Sequence, residues 1–312
     1  MTYEFGNHES VLKIEIVENI KNLLKDKENI LGADLTFGGG GHVFSILEER
    51  PNSKIIGFDQ DPDAIATGKK KIEESPFSKD IELIYSNFVN FPKKFEEYKE
   101  THGVPGIDFV TIDLGVSSHQ FDKAERGFSY REDGPLDMRM NYGDDEAITA
   151  ADVVNTYDEE DLANIIYKYG EERLSRRIAR NIVEKRKENP FRTTKELEEV
   201  VFLSYPPAQR HKKPHPATRT FQALRIEVNQ ELTVIEKLIP ELFPLLNIGG
   251  IIQIISFHSL EDRIVKWSFK DAAKEDEGLK ILTKKPVLPT QEEILNNPRA
   301  RSAKLRVIQK IN

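Results

Sequence analysis

The chain has 312 residues, 38% of them apolar and 31% charged, with a net charge of −8 and no cysteine. No apolar run approaches the roughly 20 residues of a membrane span, and the first residues carry charges without a signal-peptide core, so one large or two modest cytoplasmic domains with no membrane partner are expected. The absence of cysteine excludes disulfides, thiolate zinc sites, iron–sulfur clusters and a cysteine nucleophile, and no other metal site is expected.

Residues 11–25 place Val11, Leu12, Ile16, Ile20, Leu23 and Leu24 on one side of an amphipathic helix. Residues 30–36 read as a strand, followed by the turn Gly38-Gly39-Gly40-Gly41-His42 and a helix from Val43 to Glu49. A second strand, Lys54–Phe58, ends in Asp59-Gln60-Asp61-Pro62, where Asp61 suits an N-cap and Pro62 the first helical residue. Ile81–Tyr85 and Ile107–Ile112 are the third and fourth strands. This alternation predicts an α/β fold with a parallel, doubly wound sheet.

After Leu114 the alternation stops. Asp113–Met140 is a long stretch without helical or strand periodicity, dense in Gly, Asp and Arg. It leaves the carboxyl end of a strand, where open α/β sheets bind ligands, and so long an irregular excursion marks a functional loop. Helical patterns then follow at 147–154, 158–169, 173–187 and 194–203, so 122–213 reads as a helical insertion. The sheet pattern resumes with a helix from Phe221 through Leu246, bent near Pro240 and Pro244. Gly249-Gly250 leads into a strand at 251–257, then comes His258-Ser259-Leu260-Glu261-Asp262 with a helix to Phe269, and a last strand spans 305–311.

Two regions carry chemistry. The glycine turn lets a ligand approach the backbone and the N–H groups of the next helix, although four glycines are also consistent with a plain tight turn. Asp59 at the end of the second strand can bind both hydroxyls of a ribose. The turn and the acid together point to a nucleoside cofactor. The dinucleotide fingerprint G-x-G-x-x-G fails, because its last position falls on Val43 or Phe44. That disfavours an NAD-dependent oxidoreductase and leaves S-adenosylmethionine, which has no pyrophosphate. Ser86-Asn87-Phe88 would flank the adenine, and Asp113 would face the methyl-donor pocket. The second region is basic: residues 168–225 hold 15 Lys/Arg against 7 Asp/Glu, a polyanion-binding surface or a solvated helix face. Arg176, Arg177 and Arg180 lie on the polar side of one helix there, and His215, Arg219 and Arg225 suit phosphate contacts.

These residues also carry a resemblance. Thr36–His42, Asp113–Gln120, Arg126–Met140, His215–Ile226, Ser256–Arg263 and Asn297–Arg306 are similar to blocks of the bacterial ribosomal small-subunit RNA methyltransferases that modify the N4 amine of a decoding-centre cytosine. The resemblance spans nearly the whole chain. It implies a class I Rossmann-like S-adenosylmethionine-dependent methyltransferase core, residues 1–121 and 214–312, with an all-helical domain at 122–213 that recognises RNA. It implies Gly40, Gly41, His42, Asp59, Phe88, Asp113 and Gln120 as donor-binding residues. His119 stands where the family pattern has Pro. Asp113 would accept an amine hydrogen, the loop with Ser117 would supply carbonyls and hydroxyls, and His258 would contact substrate. Arg139, His215, Arg219 and Arg225 would hold RNA, with Arg126–Met140 lining its entrance. The implied partner is 16S rRNA in the small subunit or an assembly intermediate, with room for a homodimer. A non-catalytic RNA-binding assembly factor with this fold is the further alternative. The missing cysteine argues against carbon-5 pyrimidine methylation, which needs a thiolate.

Overall fold

The computed structural model describes residues 10–144 and 146–312. They divide into two units: the described residues up to Gly115 together with Leu232–Asn312, and Val116–Glu231.

The first unit is a seven-stranded sheet: β1 Leu31–Asp34, β2 Lys54–Asp59, β3 Ile81–Tyr85, β4 Ile107–Asp113, β5 Leu246–Ser256, β6 Leu279–Ile281 and β7 Lys304–Lys310. Their order is β3-β2-β1-β4-β5-β7-β6. The first five in that order are mutually parallel, and β7 pairs antiparallel with both β5 and β6. The sheet is therefore mixed rather than all parallel, because the last strand enters between β5 and β6 from the opposite end. Central strand β4 is buried on both faces, which is why it reads as a nearly continuous apolar run. Its buried Asp108 is satisfied by Lys27, by the amide of Leu31 at 2.9 Å and by Asn247 Nδ2 at 2.9 Å.

Helices cover both faces, as in class I methyltransferase cores. One face packs Phe91, Phe95, Ile235, Leu238, Val265 and Phe269 from the helices at 91–102, 231–242 and 259–275. The other packs Ile16, Ile20, Val43, Ile46 and Ile72 from the helices at 13–23, 41–49 and 62–74. The helix at 62–74 starts as expected: Asp61 accepts the amide of Asp63, and Pro62 is the first residue. The predicted single helix from Phe221 to Leu246 is instead two, Ala217–Asn229 and Glu231–Leu242. Gln230 separates them in the left-handed conformation, φ 51°.

The second unit holds helices at 118–122, 150–156, 159–170, 175–186, 194–204 and 217–229. Ile166, Ile178, Ile182, Leu197, Phe221 and Leu224 form its core. Its limits thus fall at 116 and 231 rather than 122 and 213, because the helix at 217–229 buries its apolar stripe among the insertion's helices.

The long loop is far more ordered than its sequence suggests. Ser117 and Gln120 form a capping box that opens the helix at 118–122. Phe128, Leu136, Met138 and Met140 are buried in the core of the helical unit. Arg126 is 1% exposed, and its Nη2 donates to the carbonyls of Arg139 at 3.1 Å and Met140 at 3.2 Å. Leu136 exchanges backbone hydrogen bonds with Arg192 and Ala151. Much of Arg126–Met140 is thus internal framework rather than the lining of an RNA entrance.

Candidate cofactor and substrate site

The carboxyl ends of β1, β2 and β4 bring together residues far apart in sequence. After β1 the chain turns through Gly38 at φ 53° and Gly40 at φ 78°, conformations that L side chains rarely adopt. A Cβ on Gly40 would lie 2.7 Å from the Phe44 ring and 2.8 Å from Phe37. Lys71 Nζ holds the turn through the carbonyl of Gly39 at 3.2 Å. The helix beginning at Gly41 has no side-chain cap hydrogen bond at Gly40, and uncapped leading N–H groups of a helix favour an anion.

Asp59 closes the other side of the turn. Its Oδ2 accepts the Gly38 amide at 2.7 Å and its Oδ1 the Asp61 amide at 2.8 Å. Burial pushes its pKa up to about 7, against the lowering effect of those two hydrogen bonds. The loop after β3 is tied to the same edge: Asn87 Nδ2 donates to Gln60 Oε1 at 2.7 Å and Asn87 Oδ1 accepts the amide of Val89 at 2.9 Å. Phe88 is half-buried there and packs on the core.

The most unusual feature is a buried polar cluster around β1 and β4. Asp34 is 1% exposed, and its Oδ1 accepts the Thr36 amide at 3.0 Å. The Thr36 hydroxyl donates to the same oxygen at 3.4 Å and accepts the Asp113 amide at 2.7 Å. His42 Nε2 lies 3.7 Å from Asp113 Oδ2, an ion-pair distance rather than a hydrogen bond. Burial alone would lower the His42 pKa, but Asp113 and Asp34 outweigh it and raise it. Burial likewise raises Asp34 to about 6, partly offset by His42 and Thr36. Asp34 Oδ2, Asp113 Oδ1 and both ring nitrogens of His42 are buried without a hydrogen-bond partner. Buried polar atoms are almost always paired, so four such atoms in one cluster make it a candidate seat for a polar ligand. Asp34 was missed from the sequence: it sits inside an apolar strand, and its only signal is an acidic residue at the last strand position before the glycine turn.

His258 stands at the carboxyl end of β5. Its Nδ1 accepts the amide of Glu261 at 3.4 Å, capping the helix at 259–275, and its Nε2 lies 3.0 Å from Glu261 Oε1. Its observed work is thus helix entry, with the ring 11% exposed.

In the helical unit the Ser117 hydroxyl accepts the Gln120 amide at 3.2 Å, and Gln120 Oε1 accepts the Ser117 amide at 3.0 Å. Both side chains are engaged in this local cap. Two predicted RNA cations are also engaged internally. Arg139 binds Asp137 bidentately at 3.0 and 2.7 Å, and Arg225 binds Glu231 at 2.8 and 2.8 Å. Each arginine side chain is 13% exposed. A phosphate would have to compete with a carboxylate already in place, so these two are structural clasps. Arg219 does reach the surface, 47% exposed, donating to the Glu171 carbonyl at 3.2 Å. His215 is stacked on Tyr130 at 4.7 Å and lies 3.3 Å from Glu198. Arg173, Arg176, Arg177 and Arg180 are exposed as well.

A family model described as the MraW methylase family matches residues 6–311. The "Ribosomal RNA small subunit methyltransferase H" of Prochlorococcus marinus (strain MIT 9215) is 48% identical over 307 residues, covering 98% of this chain and 96% of its own. The protein of the same name from Clostridioides difficile (strain 630) is 47% identical over 320 residues, covering 98% and 99%. That from Trichormus variabilis is 50% identical over 279 residues, covering 89% and 84%. A match of this extent, on a chain whose glycine turn, ribose-type acid and buried polar cluster meet at one sheet edge, leaves one conclusion: the chain belongs to the MraW methylase family.

Proposed function

We propose that this protein transfers a methyl group from S-adenosylmethionine to the N4 amine of a decoding-centre (P-site) cytosine in 16S rRNA, acting on the small subunit or an assembly intermediate. S-adenosylmethionine is the donor of the family, and the curated relatives carry names that specify RNA of the small ribosomal subunit. The observation that carries the reading is the set of unpartnered buried atoms on Asp34, His42 and Asp113.

Those atoms fit the donor. Asp34 Oδ2 offers an acceptor to an ammonium, and the uncapped helix start at Gly41 offers donors to a carboxylate. Asp59 retains acceptor capacity for ribose hydroxyls beside its two backbone bonds. Gly40 keeps the turn free of side chain, and Phe88 offers an aromatic face for adenine. The donor supplies an electrophilic methyl carbon on a sulfonium, so the protein's main task is orientation, worth about 7–11 kcal/mol of barrier.

The N4 amine is a weak nucleophile because its lone pair is delocalised into the ring. Asp113 ends β4 with one oxygen unpaired. Accepting an amine hydrogen there would turn the nitrogen lone pair out of conjugation and neutralise charge as it develops. The chain has no cysteine for covalent ring addition, in keeping with transfer to nitrogen. The exposed arginines of the helical unit supply the sequence-independent RNA affinity. A base reaches such a pocket only when single-stranded or flipped out.

The test is methyl transfer from labelled donor to small-subunit RNA and to subunits, with the product nucleoside identified by mass. N4-methylcytosine formed by the wild type and reduced at least about a hundredfold in Asp113→Ala supports the reading. Methylation on another atom, or full activity in Asp113→Ala, defeats it.

A further inference from the structure

The helix at 259–275 presents a face that the methyl-transfer site does not use. Arg263, Lys266, Lys270 and Lys274 follow at spacings of three and four, which puts them along one side of the helix. Between them stands Trp267, the chain's single tryptophan, 51% exposed. The opposite side of the helix is anchored by Val265 and Phe269, each 1% exposed, in the core of the first unit. Packing therefore fixes which side faces outward.

The indole is held rather than left to flop. Lys270 Nζ lies 4.8 Å from its ring centroid and Lys266 Nζ 5.6 Å, both within cation–π range. From Arg263 to Lys274 there are four cations against one acid, Asp271, within a chain of net charge −8. A large aromatic exposed to water is costly, and Lys266, Lys270 and Lys274 along one helix face repel one another. Both costs are offset when a polyanion with exposed bases occupies the face.

We propose that this stripe is a second RNA-contact surface, on which a single-stranded nucleotide flanking the target cytosine stacks against Trp267 while Lys266, Lys270 and their neighbours take its phosphates. Stacking platforms for unpaired bases combine these same two elements, an aromatic face and a cationic track. The stripe starts at Arg263, five residues after His258 at the sheet edge, and runs about 16 Å along the helix at 1.5 Å per residue. That length accommodates a few nucleotides of a strand leaving the active site. The charge pattern favours RNA over a protein partner: within the helix Lys266 and Lys270 hold Trp267, and Leu260 and Ile264 on its side are half-buried. The proposal rests on RNA being the substrate.

Because Trp267 is the chain's one tryptophan, its fluorescence reports this surface alone. The full-length protein would be titrated with a single-stranded oligonucleotide of the small-subunit decoding region. Anisotropy of the labelled RNA would be followed in parallel, and methyl transfer to small subunits measured on the same preparations. The expected result is saturable quenching of the emission at the RNA concentration that saturates anisotropy. Trp267→Ala weakens binding by about tenfold and Trp267→Tyr restores most of it. Lys266→Gln with Lys270→Gln lowers the slope of log affinity against log salt by about 1.4. Donor affinity by calorimetry stays unchanged in every variant, which certifies the fold. A wild type that binds and methylates RNA with unquenched emission, and variants that match it, overturn the stripe alone. Emission that shifts with protein concentration before any RNA is added also overturns it, by making the face an interface between copies. A wild type that neither binds nor methylates small-subunit RNA overturns the stripe together with the function it rests on.

Discussion

Nε2 of His42 lies 3.7 Å from Oδ2 of Asp113, although the two residues come from different strand–loop junctions. Asp34 is linked to Asp113 through Thr36 and acts on His42 through its charge. Three titratable groups thus lie close together at the sheet edge, with four of their polar atoms unpaired. Unpaired buried atoms reduce stability, and a ligand that pairs them binds the more tightly for it.

Asp34 measures that trade directly. Its pKa is raised in the fold to about 6 from an ordinary 3.8. A raised carboxylate contributes stability that is full below its unfolded pKa and is lost as pH rises through the folded one. Above pH 6, where Asp34 is ionised, the fold has therefore lost on the order of 3 kcal/mol relative to low pH, at about 1.4 kcal/mol per pK step. Asp34→Asn should be more stable than the wild type at pH 8 by about 1–3 kcal/mol and nearly equal to it at pH 4. Urea denaturation at both values checks this. The same variant should bind S-adenosylmethionine at least about tenfold more weakly, since a charged hydrogen bond is lost.

Asp59 predicts a pH dependence of donor affinity. Its pKa is raised to about 7, principally by burial. Ribose hydroxyls donate to the ionised carboxylate, so binding lowers that pKa and releases a proton. Affinity measured by calorimetry should climb from pH 5.5 to about 7 and then level. Asp59→Asn should bind weakly with a flattened profile between pH 5.5 and 7.5. A wild-type affinity that does not change across this range would exclude Asp59 as the ribose acid.

Arg225 tests whether its pair with Glu231 is structural. Removing one partner of a largely buried ion pair strands the other, at a cost of about 3–5 kcal/mol. Because both groups keep slight solvent contact, Arg225→Ala should cost about 2–4 kcal/mol in thermal or urea unfolding. The salt dependence of RNA binding should not move. A lowered salt slope with unchanged stability would return Arg225 to the RNA surface.

Arg176 and Arg177 should behave in the opposite way. They are exposed on a helix whose Ile178 and Ile182 are buried. Replacing both with Gln should leave the melting temperature within a degree or two. The slope of log affinity against log salt for single-stranded RNA should fall by about 1.4. An unchanged slope would place the RNA elsewhere.

Much of this protein is written locally in its chain. Apolar runs such as Ile107–Ile112 mark buried strands, since a parallel strand is covered on both faces. Asp61-Pro62 marks a helix start, and the glycine turn followed by Asp59 reads as the signature of a nucleoside site, because caps and turns need particular residues at fixed offsets. Tertiary structure decided the rest. The antiparallel entry of β7, the membership of the helix at 217–229 in the helical unit and the burial of Met138 and Met140 depend on which surfaces meet, and no local period encodes that. Arg139 and Arg225 look like RNA cations in sequence and prove to be clasped by Asp137 and Glu231, because a charge's availability depends on its neighbour in space. Asp34 is the converse case. In the chain it is one acid at the end of an apolar strand, and only the fold removes its water, sets His42 and Asp113 beside it and leaves it poised for a ligand.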